Sequence, residues 1–164
     1  MILPVEVFGV IEENAYFFVD DETRCGFLID PGAQADRLLK IVADEKITLE
    51  KILLTHGHFD HIGAVNEIQR ALKIPVCMSK GGNYYAKDPA TNCSAFVGEP
   101  IILDDVVCLD DFSEIFLSAN KNFSDLMKTI REKVLTLPDE TILYTGHGLQ
   151  TTIAAEKKLL AVSY

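Results

Sequence analysis

The segment Lys51-Ile52-Leu53-Leu54-Thr55-His56-Gly57-His58-Phe59-Asp60-His61 places three histidines and an aspartate directly after an apolar run. The run, residues 51–55, predicts a short buried strand. After the histidines, apolar residues recur at the spacing of a helix face, at Ile62, Val65, Ile68 and Leu72. Because α/β proteins place their sites in loops at the carboxyl ends of strands, this strand–loop–helix segment is the predicted site.

The spacing of the polar side chains in this segment indicates metal binding. His56 and His58 are two residues apart, so both rings point to one side of an extended segment. Asp60 and His61 come where the chain turns into the helix, and they can face a second point nearby. Imidazole nitrogens and carboxylate oxygens suit zinc, and also iron or manganese. A polar loop that contains these histidines by chance is the less favoured interpretation, since the whole chain has only four histidines.

The fourth histidine is His147, in Tyr144-Thr145-Gly146-His147-Gly148. It follows a predicted strand at residues 141–144. A lone histidine in such a place is more often structural than a ligand. Beside the other cluster, a ligand role is the favoured interpretation.

The first half of the chain alternates strands with helices, which is typical of an α/β fold. Strands are predicted at residues 2–10, 15–20, Cys25–Ile29 and Ile74–Met78, and an amphipathic helix at 34–44. Glu12-Glu13-Asn14 is predicted to join the first two strands. Residues 79–100 are rich in Gly, Asn, Ser, Asp and Pro, so they are predicted to be a loop with one helical turn.

The second half of the chain has fewer elements. A short strand is predicted at Ile101-Ile102-Leu103, and a helix from about Ser124 to Leu135. Thr151 or Thr152 is predicted to cap a last helix. The length of 164 residues fits a single domain over residues 1–164.

Composition limits the classes of partner. The net charge of −10 argues against nucleic acid, whose phosphates are bound mainly by Lys and Arg. No apolar run has the length of a membrane span, and the N-terminal residues do not resemble a signal peptide. The cysteines Cys25, Cys77, Cys93 and Cys108 have neither metal-ribbon nor redox spacing, and they are predicted to be reduced thiols in a cytoplasmic protein.

Residues Thr55–His61 resemble the H-x-H-x-D-H signature of the metallo-β-lactamase superfamily. Further segments look like its single-domain glyoxalase II-like branch, and they extend the resemblance over nearly the whole chain: Asn14-Ala15-Tyr16, Leu28–Gly32, Phe96–Pro100 and Tyr144–Ile153. The resemblance implies an α/β fold of the αββα sandwich type, with two metals at one edge. It also implies a metal-dependent hydrolase of small-molecule thioesters or esters.

The resemblance assigns the ligands residue by residue. His56 and His58 would hold a first metal, and Asp60, His61 and His147 a second, with Asp60 also counted as catalytic. Asp30 would lie behind the histidine loop and orient it. The implied cofactor is one or two Zn²⁺ ions, with iron or manganese as alternatives. No residue is assigned to substrate binding.

Two elements of the family pattern are absent between about Asp104 and Phe123: a third histidine for the first metal, and an aspartate that bridges both metals. The second sheet is therefore expected to be shortened. Replacement ligands could come from Asp104, Asp105, Cys108, Asp110 and Asp111, although an acidic surface loop is the favoured interpretation of these residues. The alternatives to an active hydrolase are a non-catalytic metal-binding remnant and an oligomerising one, with a homodimer expected because a shortened sheet exposes its edges.

Overall fold

The computed structural model describes residues 1–109 and 134–162. Residues 1–109 belong to one unit and residues 134–162 to a second unit. The prediction of a single domain over residues 1–164 stays a prediction.

A six-stranded sheet organises the first unit. Its strands lie in chain order and are β1 (Ile2–Phe8), β2 (Glu12–Val19), β3 (Cys25–Ile29), β4 (Thr48–Leu54), β5 (Val76–Ser79) and β6 (Val106–Leu109). The first three strands are antiparallel neighbours, and β3 to β6 run parallel to one another. The carboxyl ends of these parallel strands therefore lie at one edge of the sheet, where the loop after β4 begins.

Five helices accompany this sheet: α1 (Ala35–Asp44), α2 (Phe59–Ile62), α3 (Val65–Leu72), α4 (Lys80–Lys87) and α5 (Ser94–Val97). The amphipathic helix predicted at 34–44 is confirmed by α1, whose Leu38 is fully buried. Helix α3 buries Val65 and Ile68 in the same core, against strand residues such as Leu28 and Ile52. Each such side chain contributes about 1.5–3 kcal/mol by leaving water, so these contacts fix the helices that flank the histidine loop.

The prediction of a loop over residues 79–100 was wrong, because this segment contains α4 and α5. Ser79 caps α4 by accepting a hydrogen bond from Gly82 N at 3.2 Å. At the other end, Lys87 Nζ donates to the carbonyl oxygens of Leu103 at 2.8 Å and Asp104 at 2.6 Å. These contacts stabilise a helix whose Gly and Asn residues have low intrinsic helix propensity.

The strand predicted at Ile101-Ile102-Leu103 was also wrong, and the strand of this region is β6 instead. Leu103 is buried, with 1% of its surface exposed. Its amide donates to Ala86 O at 3.0 Å, so its backbone is bonded to the end of α4 rather than to a neighbouring strand. The linker predicted at Glu12-Glu13-Asn14 was likewise wrong, since these residues begin β2.

The second unit contains a small sheet of two antiparallel strands, β7 (Ile142–Leu143) and β8 (Thr151–Thr152), followed by α6 (Ile153–Val162). The predicted cap is confirmed for Thr152, whose Oγ1 accepts from Ala155 N at 3.3 Å. Most of the helix predicted at 124–135 and of the shortened segment predicted at 104–123 lies outside the described residues. In the described parts of the chain, no helix is long and apolar enough to cross a membrane.

Candidate metal centre

Two imidazole nitrogens of the loop after β4 face a common point. His56 Nε2 lies 3.1 Å from His58 Nδ1, and the two rings stand nearly perpendicular at 81°. In a tetrahedral zinc site each imidazole nitrogen is about 2.0–2.1 Å from the metal, which puts two such nitrogens roughly this far apart. The pair therefore fits two ligands of one ion.

The tautomer of His56 follows from the groups behind it. Thr55 Oγ1 lies 3.0 Å from His56 Nδ1 and donates its own proton to Asp30 Oδ2 at 2.5 Å. Since that hydroxyl proton is committed to the carboxylate, Thr55 Oγ1 must accept from Nδ1–H of His56. The proton sits on Nδ1, and Nε2 is left with the lone pair that a metal needs.

His61 is arranged in the same way, with a direct carboxylate partner. Its side chain is buried, and Nδ1 lies 3.1 Å from Asp30 Oδ2. Its other nitrogen, Nε2, lies 3.6 Å from Asp60 Oδ2. A proton held on Nδ1 by Asp30 leaves the lone pair of the ring on Nε2, which faces Asp60, so this nitrogen and the carboxylate are a second pair of potential ligands.

The carboxylate of Asp30 helps to orient both His56 and His61. It is 4% exposed and accepts from Thr55 N at 2.8 Å, from the Thr55 hydroxyl and from His61. Its backbone has φ 46°, in the left-handed region that Asp tolerates better than most residues. This conformation comes directly after β3, where Asp30 N donates to Leu53 O at 3.1 Å. The end of β3 thus anchors the start of the histidine loop.

Glu13 is a site residue that sequence reasoning missed. It is 1% exposed, and its Oε1 lies 3.6 Å from His61 Nδ1. Ligand atoms of Glu13, Asp30 and His61 all lie within 4.8 Å of one another. Among the described residues, neither Glu13 carboxyl oxygen meets a partner at hydrogen-bond geometry. Burial raises the pKa of Glu13 to about 9, and the negative charges of Asp30 and Asp60 add to the effect.

The histidines differ in their titration. Burial lowers the pKa of His56 to about 4, and the neighbouring His61 adds to this. Burial also lowers the pKa of His58. Burial acts the same way on His61, but the hydrogen bond and charge of Asp30 together with the charge of Asp60 outweigh it and raise its pKa. His56 and His58 are therefore neutral at pH 7, in the form that binds metal.

Gly32 allows the turn after β3 to touch the backbone of the histidine loop. A Cβ at Gly32 would lie 1.6 Å from the carbonyl oxygen of Asp60 and 2.7 Å from its carbonyl carbon. We expect Gly32→Ala to displace this backbone and to destabilise the protein by about 3 kcal/mol, measured by urea unfolding. Gly98→Ala is the control, since nothing lies within 4 Å of a Cβ there. Equal unfolding midpoints for the two variants would contradict the expectation.

The remaining predicted ligands come from later segments of the sequence. His147 is exposed, in the loop between β7 and β8 of the second unit. Asp104 and Asp105 are exposed and Cys108 is half-buried in β6. Within the described residues, these three belong to no group of three potential metal ligands. Asp110 and Asp111 lie outside the described residues.

Comparison with known proteins agrees with this chemistry. The family model described as "Metallo-beta-lactamase superfamily" matches residues 9–147. The probable metallo-hydrolase YqgX of Bacillus subtilis (strain 168) is 26% identical over 195 aligned positions, which cover 91% of each chain. The hydroxyacylglutathione hydrolase GloC of Haemophilus influenzae (strain ATCC 51907 / DSM 11121 / KW20 / Rd) is 27% identical over 203 positions, covering 96% of this chain and 94% of GloC.

Among solved structures, the crystal structure of the BLEG-1 B3 metallo-β-lactamase superposes with a TM-score of 0.82 at 27% identity, covering 96% of this chain and 97% of that one. The αββα sandwich fold expected from the sequence resemblance, with a small second sheet, is thereby confirmed. The family model spans well over half of the sequence. The chain belongs to the metallo-β-lactamase superfamily.

Proposed function

We propose that this protein is a metal-dependent hydrolase of small-molecule thioesters or esters. The observation that carries the proposal is the pair of nitrogens His56 Nε2 and His58 Nδ1, 3.1 Å apart and backed by Thr55. The relatives YqgX and GloC, named as a metallo-hydrolase and a hydroxyacylglutathione hydrolase, support the reaction class.

In the proposed site, His56 and His58 hold one ion, while Asp60, His61 and His147 hold a second. Zinc is the proposed metal, with iron or manganese as alternatives, because imidazole and carboxylate ligands accept all three. A bound ion would supply Lewis acidity and an acidified water as nucleophile. The protein contributes the fixed orientation of its ligands, since Asp30 and Thr55 determine which nitrogen of each ring carries a proton.

The proposed activity is lower than that of an intact relative. The alignment with YqgX runs over 195 positions, more than the 164 residues of this chain, so the relative has positions without a counterpart here. This supports the proposal that the chain lacks the third histidine and the bridging aspartate. A non-catalytic metal-binding remnant is the alternative. The homodimer and the cytoplasmic location stay predictions.

The function is tested with a panel of acyl thioesters and esters, after loading the protein with zinc, manganese or iron. We expect slow hydrolysis that a chelator abolishes and that Asp60→Ala lowers roughly 100-fold or more, because a ligand of the ion is lost. Bound zinc is measured in parallel, and His61→Ala is expected to reduce it.

Asp36→Ala is the control for the removal of a carboxylate, since Asp36 is exposed in the first turn of α1. It should retain both the metal and the activity. A folded, metal-loaded protein with no turnover on any substrate would support the remnant instead. Unchanged zinc content in His61→Ala would refute the ligand assignment.

A further inference from the structure

The histidines of the loop differ in what holds each ring in place. His56 has Thr55 behind it and His61 has Asp30, each through a hydrogen bond at Nδ1. His58 instead turns Nδ1 toward His56. In the part of the chain that the structure describes, its Nε2 has no hydrogen-bond partner. Apart from the contact with His56, the orientation of the His58 ring therefore depends on packing.

An aromatic ring provides this packing. The ring of Tyr85 meets the ring of His58 edge-to-face, with centroids 5.5 Å apart and an interplanar angle of 82°. Tyr85 is half-buried near the middle of α4. Perpendicular ring pairs at this distance attract one another beyond the effect of burial alone, and they restrict ring rotation. This ring contact orients His58, as a hydrogen bond at Nδ1 orients each of the other two histidines.

Helix α4 also contacts the backbone between the two paired histidines. Gly57 is buried, and a Cβ there would lie 2.8 Å from Tyr85 Cβ and 2.9 Å from Ala86 N. The helix therefore approaches the loop as closely as a glycine permits. This close approach fixes the base of the Tyr85 side chain relative to His58.

Both ends of α4 are anchored, so Tyr85 stands on a rigid element. The first turn is capped by Ser79, and the last turn is tied through Lys87 to two backbone carbonyls. Side chains that orient a ligand act best from regular secondary structure that is itself held in place. The structure provides such a platform behind His58.

We propose that Tyr85 is a positioning residue for His58, acting through its ring, and that it sets the affinity for the ion shared with His56. The inference rests on the proposed function only in that this pair binds metal. It does not depend on which substrate is hydrolysed.

The test compares Tyr85→Leu, Tyr85→Phe and wild type by zinc titration against a chromophoric chelator, with circular dichroism as the check of folding. We expect Tyr85→Leu to weaken binding of one ion by about 10- to 100-fold, as for other residues that orient a ligand. Tyr85→Phe keeps the ring and should bind as wild type does. Phe96→Leu is the control for the loss of an aromatic ring, since Phe96 of α5 is 76% exposed.

A double-mutant cycle shows whether Tyr85 acts through His58. In a His58→Ala background, Tyr85→Leu should cause no further loss of affinity. Wild-type affinity in Tyr85→Leu, or an equal loss in Tyr85→Phe, would overturn the proposal. If Tyr85→Leu fails to fold, Tyr85→Met takes its place in the titration, since it also removes the ring and keeps an apolar side chain. Should wild type bind no metal at all, the proposed function fails, which this titration distinguishes from a failure of the Tyr85 inference alone.

Discussion

An Asp30→Asn variant is expected to lose metal affinity at two ligands at once, because one carboxylate supports both His56 and His61. The side chain of Asp30 accepts three hydrogen bonds, two from Thr55 and one from His61. An amide of the same size has one oxygen, and its NH₂ group would face donors. With the amide oxygen in place of Oδ1, the Thr55 hydroxyl and His61 would lose their acceptor; with it in place of Oδ2, the Thr55 backbone amide would lose its acceptor. Either orientation disturbs Thr55, which orients His56.

The expected loss is about 10- to 100-fold in affinity for each ion, together with about 3 kcal/mol of stability from buried donors without acceptors. Both are measurable, by competitive zinc titration and by urea unfolding of the metal-free protein. Asp36→Asn is the matched control, since it removes one carboxylate from an exposed position. Loss at a single ion would show that Thr55 does not relay the effect of Asp30 to His56.

The sequence predicted those helices and strands in which the pattern of apolar residues matches the side chains that are buried. The apolar periodicity of α1 and the run at the centre of β4 each led to an element that the structure contains. The sequence did not predict α4, because its Gly81, Gly82 and Asn83 indicate a turn. That helix forms because of tertiary contacts, the Ser79 cap among them, which no local pattern reveals.

The candidate site was predictable where the ligands follow one another in sequence. Thr55 and Asp30 lie behind the histidines through contacts between β3 and the loop after β4, and only Asp30 was suggested by family resemblance. Tyr85 was missed because its segment was taken for a loop. Glu13 was missed because charged residues are almost never fully buried. The signal that could have found it is its place in β2, directly before the Asn14 of a family segment.

The second large effect is expected from Glu13. It should make the stability of the metal-free protein depend on pH. Its pKa is about 9 in the folded chain, against an ordinary value of 4.5, mainly through burial. Between these two values the folded state binds more protons than the unfolded state, so stability falls as pH rises. The raised pKa of His61 acts in the same direction, whereas the lowered values of His56 and His58 act in the opposite one.

Glu13→Gln isolates this effect, because it keeps the size of the side chain and removes the proton that titrates. The slope approaches about 1.4 kcal/mol per pH unit, so from about pH 6 to pH 8 wild type should lose roughly 2.7 kcal/mol relative to Glu13→Gln. Urea unfolding of both proteins in the presence of a chelator measures the difference. Glu12→Gln, at the exposed neighbouring position of β2, should follow wild type.

Parallel stability curves for wild type and Glu13→Gln would mean that Glu13 is ionised in the folded protein at neutral pH. In that case its negative charge would have to be balanced inside the site, and the candidate for balance is His61, 3.6 Å away. A proton on both nitrogens of His61 leaves no lone pair for a metal. In that outcome the metal-free site would have to release a proton from His61 before an ion binds there.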